Sequence, residues 1–431
     1  MQIGIGIVAF LVFIVFVIVW YLVLKRSIAE AMLLGLLVCC AFSGIQNIPT
    51  TFVTSLKDAM TEDVMAAIML FTIMSSIMTQ TGIITRLVNI LNAILGRLRG
   101  GPAYVSACAS ALFGMVSGAS SANAATVGSI TIPWMRESGW SKEVAATMNT
   151  GNAGLGICIP PSSSMFLMLG LPAVAGVVEA GDLYFALLCG GLWTLVYRLI
   201  LVRYYVHKYK IPPISKDKIE PLGTALKQGG SSLAMFLGII IPLVVITGPV
   251  ATLLEGLASF GEDGVDAMNI IIWVPVLIML ICLIEGRKLL PKTLDGWAKM
   301  LLASAKQCCN CGAVSLFAMA SSNALNQTSF GEDMTTILSA LTLPKFVLIL
   351  IIGYVIALAA GPMNATSTTV SLGPVAYSAM VSVGVPPVTA IVAYLIFAST
   401  EGASPPMSSP IFVSSSIAGL NDVSVMFKPL I

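Results

Sequence analysis

The sequence of 431 residues is poor in charge: Asp, Glu, Lys and Arg make up 10% of it, while 57% is hydrophobic. A soluble domain carries about 25% charged and about 45–50% apolar residues. A soluble core of this composition would lack the polar surface to cover it, and a lipid bilayer as solvent removes that difficulty. Histidine is scarcer still, with His207 alone. A Ser-His-Asp triad would have to draw on that one imidazole in a basic linker, so no catalytic constellation is legible. Cys308, Cys309 and Cys311 form the one cysteine cluster, and with a single His available they do not make the four-ligand spacing of a structural zinc site. The cysteines are expected to be small apolar core residues. No Walker A sequence is present, so nothing in the chain indicates ATP drive. A net charge of +2 points to no nucleic-acid partner.

What the chain has in abundance is apolar runs of membrane-spanning length. Full spans are expected near 3–24, 28–47, 63–81, 184–206, 228–250, 268–285 and 310–330. The first has no basic leader and no small-residue cleavage site, and is read as a retained helix. The charges set an orientation. If the first helix runs from outside to inside, Lys25, Arg26, Arg86, Arg97, Arg99, Arg136, Lys142 and the groups 203–227 and 287–306 are cytoplasmic. Lys57 and Lys345 then fall outside, where the acidic residues Asp58, Glu179, Glu255 and Glu332 gather. Arg198 lies within a span towards its inner end and is expected to snorkel to the cytoplasmic interface. Met74, Met78, Met165 and Met168 are expected to be packing rather than a metal path, because no Cys or His joins them.

Two halves flank the polar linker 207–227. In the first, Gly139 precedes Pro160 by 160 − 139 = 21 residues; in the second, Gly384 precedes Pro405 by 405 − 384 = 21. Each proline opens a Pro-Pro pair followed by serines: Ser162, Ser163 and Ser164, then Ser408 and Ser409. Upstream of each glycine lies a small, polar segment within an apolar region, GMVSGASSANAATVGS (114–129) and GPMNATSTTVSLGP (361–374). A proline in a helix interior removes a hydrogen bond and breaks the helix, and broken backbone is tolerated in a bilayer only where it is buried in protein or lines a cavity. Two interrupted helices at matched positions point to a transporter site. The fold expected is therefore an all-α integral membrane protein with an inverted repeat. The first repeat, 1–206, comprises scaffold helices 1–81, an inward re-entrant hairpin 103–135, a Pro-Pro-broken helix 144–178 and a span 184–206. After the cytoplasmic linker 207–227, the second repeat, 228–431, comprises scaffold helices 228–330, an outward hairpin 346–381 and a broken helix 387–416. Glu401 is the one acidic residue placed inside the membrane. Such a carboxylate costs several kcal/mol and marks a cation or proton site, or else a structural acceptor beside the break.

The run 81–163 resembles the large membrane subunit of TRAP (tripartite ATP-independent periplasmic) transporters, within the ion-transporter superfamily. It carries a Gly-Arg-x-x-Gly-Gly turn, a Phe-Gly-x-x-Ser-Gly hairpin, an Ile-Pro-x-Met segment and an Ile-Pro-Pro-Ser break in that order. The second half is similar through Gly384 and its Ser-Pro-Pro break. The resemblance implies a multi-pass permease of the bacterial inner membrane, not an enzyme, in which a transport domain slides elevator-fashion against a scaffold. It implies Na⁺ as coupling ion with no cofactor, and import of a small organic anion, often a carboxylate. It also implies two partners, a small membrane subunit and a periplasmic substrate-binding protein. Carried onto this chain, the family's cation ligands fall on Ser117, Gly118, Ser120, Asn123, Thr150, Gly151 and Pro160. In the second half they fall on Gly361, Asn364, Thr366, Thr400, Gly402 and Ser404, to which the residue reading adds Glu401. Ser121, Asn152, Ser162 and Ser367 are the expected substrate contacts. Two departures stand out. The family usually has an acidic residue where this chain has Asn123, and it usually has one more spanning helix where this chain ends at Ile431. A stand-alone carrier or Na⁺/H⁺ antiporter of the same superfamily, and a non-transporting membrane scaffold, are the competing readings.

Overall fold

The computed structural model describes residues 4–61, 63–117, 120–171, 173–213, 219–246, 248–256, 270–328, 333, 344–404 and 408–430. Among these residues the secondary structure is helical, without strands. The apolar N-terminal run forms the α-helix Ile5–Ile18, which passes directly into a π turn, Val19–Val23. The next helix, Ile28–Phe42, starts at Ser27, whose hydroxyl accepts the Glu30 N–H at 3.2 Å. A cap of this kind is worth about 1 kcal/mol. Thr293 caps the 33-residue helix Leu294–Asn326 in the same way. That long helix packs along Ile28–Phe42, Ile48–Thr61 and Asp63–Gln80, forming one layer of the molecule.

Two helices, Ala180–Lys208 and the run Leu222–Val245, are long and apolar enough to cross a membrane by themselves. Large apolar side chains on the first face outward without protein cover: Trp193 is 75% exposed and Ile200 60%. On Lys345–Ser382, Phe346 is 71% exposed and Tyr354 69%. Aqueous solvent would penalise such faces and lipid does not. Met74, Met78, Met165 and Met168 are fully buried in the main hydrophobic cluster, as packing residues.

The first polar segment turns back on itself. Helix Gly101–Ser117 packs against helix Ser120–Glu137, and Asn123 reaches back across the turn to the Ser110 carbonyl at 2.9 Å. The second is assigned helical throughout, Lys345–Ser382. Thirty-eight residues of straight helix would span about 57 Å, yet the Lys345 ammonium donates to the Gly384 carbonyl at 2.7 Å. The two ends therefore meet, and the chain reverses between them. Each reversal ends in the same cap. Gly139 (φ +91°) donates to Arg136 O while Trp140 N–H reaches Met135 O; Gly384 (φ +79°) donates to Val381 O while Val385 N–H reaches Met380 O. This is the Schellman pattern, whose left-handed residue is ordinarily glycine.

Each cap leads into a helix of 12 residues followed at once by a five-residue 3₁₀ turn. The first pair is Lys142–Ala153 and Gly154–Cys158, the second Pro387–Ala398 and Ser399–Ala403. The regular helices thus stop well before the prolines, and the second legs are short: Ser163–Leu169 and Ser409–Ala418. The expected broken helix 144–178 ends early, because 170–178 form successive turns apart from residue 172, which is outside the described residues. The linker 207–227 is also partly helical, through Leu222–Gly229.

Candidate functional site

The breaks follow from the prolines. Pro160 and Pro161 have no N–H to give to the carbonyls of Gly156 and Ile157, four residues back, so the α ladder fails there. Ser162 repairs part of the damage. Its hydroxyl donates to the Ile157 carbonyl at 3.0 Å and accepts the Met165 N–H at 3.2 Å, capping the next helix. In the second half Pro405 likewise leaves the Glu401 carbonyl without its usual donor, and the Ser404 N–H approaches it at 3.4 Å.

The two breaks lie against each other. Thr150 Oγ1 donates to the Gly402 carbonyl at 3.1 Å. A Cβ at Gly402 would collide with the Thr150 carbonyl, and one at Gly154 with the Ser399 carbonyl. Only glycine allows this backbone approach.

Both reversals converge on the same place through Glu401, which is 4% exposed. Its Oε2 accepts from the Ser120 hydroxyl at 2.8 Å, at the start of the second leg of the first reversal. The same oxygen accepts from the Ala365 backbone N–H at 3.0 Å. In an uninterrupted helix that N–H would serve the Gly361 carbonyl, and residue 365 is midway between the meeting ends Lys345 and Gly384. Among the described residues Glu401 has no basic partner. A buried carboxylate held by neutral donors alone keeps its charge uncompensated, which favours a bound cation or proton beside it.

The remaining expected residues are distributed as follows. Asn123 is fully buried; its amide nitrogen donates to Ser110 O and to Ala153 O (2.8 Å), and its Oδ1 is buried without a partner. Ser404 Oγ lies 2.8 Å from the carbonyl oxygens of both Ala357 and Thr400, either of which can take its one proton, and a Cβ on the buried Gly361 would press on Ser404. Thr400 Oγ1 donates to its own helix at Phe397 O. Thr366 is half-buried near the Ala365 contact, and Pro160 is buried at the first break. Gly118 lies outside the described residues, as do the side chains of Ser117, Asn364 and Ser367. The sequence reading missed Asn149, whose amide nitrogen donates to Ala124 O and Ser414 Oγ, both at 2.9 Å, and whose Oδ1 is also buried without a partner. An amide inside the segment expected to form the membrane-embedded broken helix 144–178 was the available signal.

A cavity of about 710 Å³ opens beside the breaks, lined by Gly151 and Asn152 of the first and Ala403 of the second. Its far wall is the helix Ala180–Lys208 and its floor the C-terminal segment, which Tyr205 ties down through a 2.8 Å hydrogen bond to Pro429 O. Of the expected substrate contacts, Asn152 faces this cavity, with its amide 3.5 Å from Ser106 Oγ. Ser162 is committed to capping at the first break, and Ser121 is half-buried in the turn region of the first reversal. Arg198 lines the same cavity, its guanidinium 3.5 Å from the position a Cβ on Gly151 would take.

Comparison with known proteins bears on this arrangement. Residues 5–431 match the family described as the tripartite ATP-independent periplasmic transporter, DctM component. This chain belongs to that family. As members of it are transporters, the chain is a membrane transport protein and not an enzyme. It is 24% identical over 354 residues to the C4-dicarboxylate TRAP transporter large permease protein DctM of Pseudomonas aeruginosa, covering 82% of this chain and 77% of that one. It is 29% identical over 200 residues to the sialic acid TRAP transporter permease protein SiaT of Haemophilus influenzae, 46% of this chain and 30% of that one. Among solved structures the YdaH transporter of Alcanivorax borkumensis shares the fold, with a TM-score of 0.66 at 14% identity over 90% of this chain and 85% of the other.

Proposed function

We propose that this TRAP permease is the large membrane subunit of a Na⁺-driven secondary importer of a small carboxylate-bearing anion. The observation that carries the reading is the convergence on Glu401: one buried carboxylate bonded to both chain reversals, at a point where two interrupted helices touch. Backbone carbonyls freed at the breaks, with the unpartnered Oδ1 atoms of Asn123 and Asn149, are hard oxygen ligands of the type alkali cations take. Na⁺ here is cargo, and its charge would offset that of Glu401.

The matched caps, 12-residue helices and 3₁₀ turns support an inverted repeat, with the reversals as re-entrant hairpins entering from opposite sides of the bacterial inner membrane. An elevator step then moves hairpins and breaks together against the long-helix layer. The relatives' names, a C4-dicarboxylate and a sialic acid system, favour an organic acid as solute. A periplasmic binding protein delivers it, and a small membrane subunit covers part of the exposed apolar helix faces.

The test is uptake into proteoliposomes holding the permease with its small subunit, with the binding protein added outside. Labelled succinate and N-acetylneuraminate serve as probes. Accumulation under an inward Na⁺ gradient, absent under K⁺, is expected. Uptake equal in both salts but driven by a pH gradient would assign the coupling to a proton at Glu401. Full transport without the binding protein would favour a stand-alone carrier.

A further inference from the structure

We infer that Arg198 is the anion receptor of the inner cavity, binding the carboxylate of the transported solute directly. The inference rests on the transport reading for its occupant, but not for its geometry. Arg198 sits on the helix Ala180–Lys208, in the wall facing the first break. Its Nε is shut off from solvent and has no hydrogen-bond partner, and the guanidinium forms no ion pair among the described residues. It lies near the buried Cys158 thiol and 5.9 Å from the Tyr197 ring, a weak cation–π contact, and neither neutralises its charge. A guanidinium carries five donors in a planar fork matched to a carboxylate. Half-buried in the cavity wall and without a counter-charge, it leaves that fork open to an anion arriving in the cavity.

Three further features fit an anionic occupant. The cavity volume of about 710 Å³ lies in the range of small-molecule sites. Its lining carries Lys208 and Lys428 besides Arg198, against one carboxylate, Glu143, so the lining charge is +3 − 1 = +2. Glu143 stands in the first turn of Lys142–Ala153, two turns from Gly151, and makes no ion pair among the described residues. Finally, the guanidinium lies beside Gly151, next to Thr150, the residue that bonds the second break. A carboxylate on Arg198 therefore touches the same backbone that the cation site uses, which gives solute and ion a shared structural element. The receptor comes from a wall helix and not from a hairpin tip.

The test needs no knowledge of the natural solute. Leu201→Cys places a thiol on the cavity wall one turn from Arg198, in a background with the exposed Cys189 and Cys309 replaced by serine. The rates at which it forms mixed disulfides with the anionic 2-sulfonatoethyl and cationic 2-trimethylammonioethyl methanethiosulfonates, each releasing methanesulfinate, are read by mass spectrometry. The ratio of anionic to cationic rate is expected to fall at least fivefold on Arg198→Met and to change little on Arg198→Lys. With Arg198 intact, succinate or N-acetylneuraminate is expected to slow the anionic reagent more than chloride at equal ionic strength. An unchanged ratio in Arg198→Met would overturn the assignment. So would carboxylates no better than chloride with Arg198 intact, a comparison that does not depend on any Arg198 variant folding. Na⁺-dependent stabilisation measured on the same samples separates the two ideas. Its absence with the charge preference retained removes the sodium reading and leaves the receptor standing.

Discussion

Ser120 and Glu401 are 281 residues apart in the chain and 2.8 Å apart in space. The hydroxyl of one hairpin's second leg and the carboxylate of the opposite half's break form a single hydrogen bond, completed by the Ala365 N–H from the other reversal. Three elements of the proposed transport unit are thus held by one side chain.

Glu401→Gln keeps the shape and removes the charge. The expected outcome is a folded protein whose ion dependence is abolished, read as loss of Na⁺-stimulated uptake with an unchanged gel-filtration profile. Ser120→Ala removes one donor to a charged acceptor, an interaction of roughly 1.5–3 kcal/mol. It is expected to weaken ion affinity about tenfold without abolishing it. Unaltered ion dependence in Glu401→Gln would reduce that carboxylate to a helix-end acceptor.

Gly402→Ala and Gly154→Ala introduce a Cβ into backbone of the facing break. Each is expected to cost about 1–3 kcal/mol, as overpacking does, and to lower the thermal midpoint. Gly223→Ala is the control, since a Cβ there meets nothing within 4 Å on an exposed helix; it is expected to be neutral or stabilising by up to about 1 kcal/mol. Equal effects at all three positions would argue against the contact between the breaks.

Much of this was legible in the sequence, and the reasons are local. Pro160 with Pro161, and Pro405 with its neighbour, announce a broken ladder, and Gly139 and Gly384 mark the matched position upstream of each; that both are left-handed caps came from the structure. Their matched spacing of 21 residues locates both breaks. The residue at which each regular helix gives way was not legible: the 3₁₀ turns begin at Gly154 and Ser399, six residues before Pro160 and Pro405. The reversal within Lys345–Ser382 was legible from its small polar residues, but its end-to-end closure by Lys345 was not. The surroundings of Arg198 were not legible, for a different reason. Hydropathy places a residue along a helix axis but says nothing about which neighbour fills the space beside it. Here that neighbour is the first break and the folded-back C-terminal segment.

The closure of the second reversal has a direct ruler. Spin labels at Lys345→Cys and Ser382→Cys are expected to give a distance below about 25 Å, whereas a straight helix would place them about 55 Å apart. Pulsed electron–electron resonance distinguishes the two without ambiguity.

Ser162 tests the division between frame and site. Ser162→Ala removes a cap worth about 1 kcal/mol and the donor to Ile157 O. Lower thermal stability with the same preference for Na⁺ over K⁺ is expected. A changed ion preference would place Ser162 among the ligands.

The central claim, one cation site built by two breaks and two reversals, is tested most directly by thermal unfolding of the purified protein in detergent, titrated with NaCl against KCl at constant ionic strength. A ligand bound only by the folded state stabilises it by about 2.7 kcal/mol at one hundred times its Kd. The account predicts a saturable rise specific to Na⁺, lost in Glu401→Gln and weakened in Ser120→Ala. Identical melting of the wild-type protein in the two salts at every concentration would contradict it.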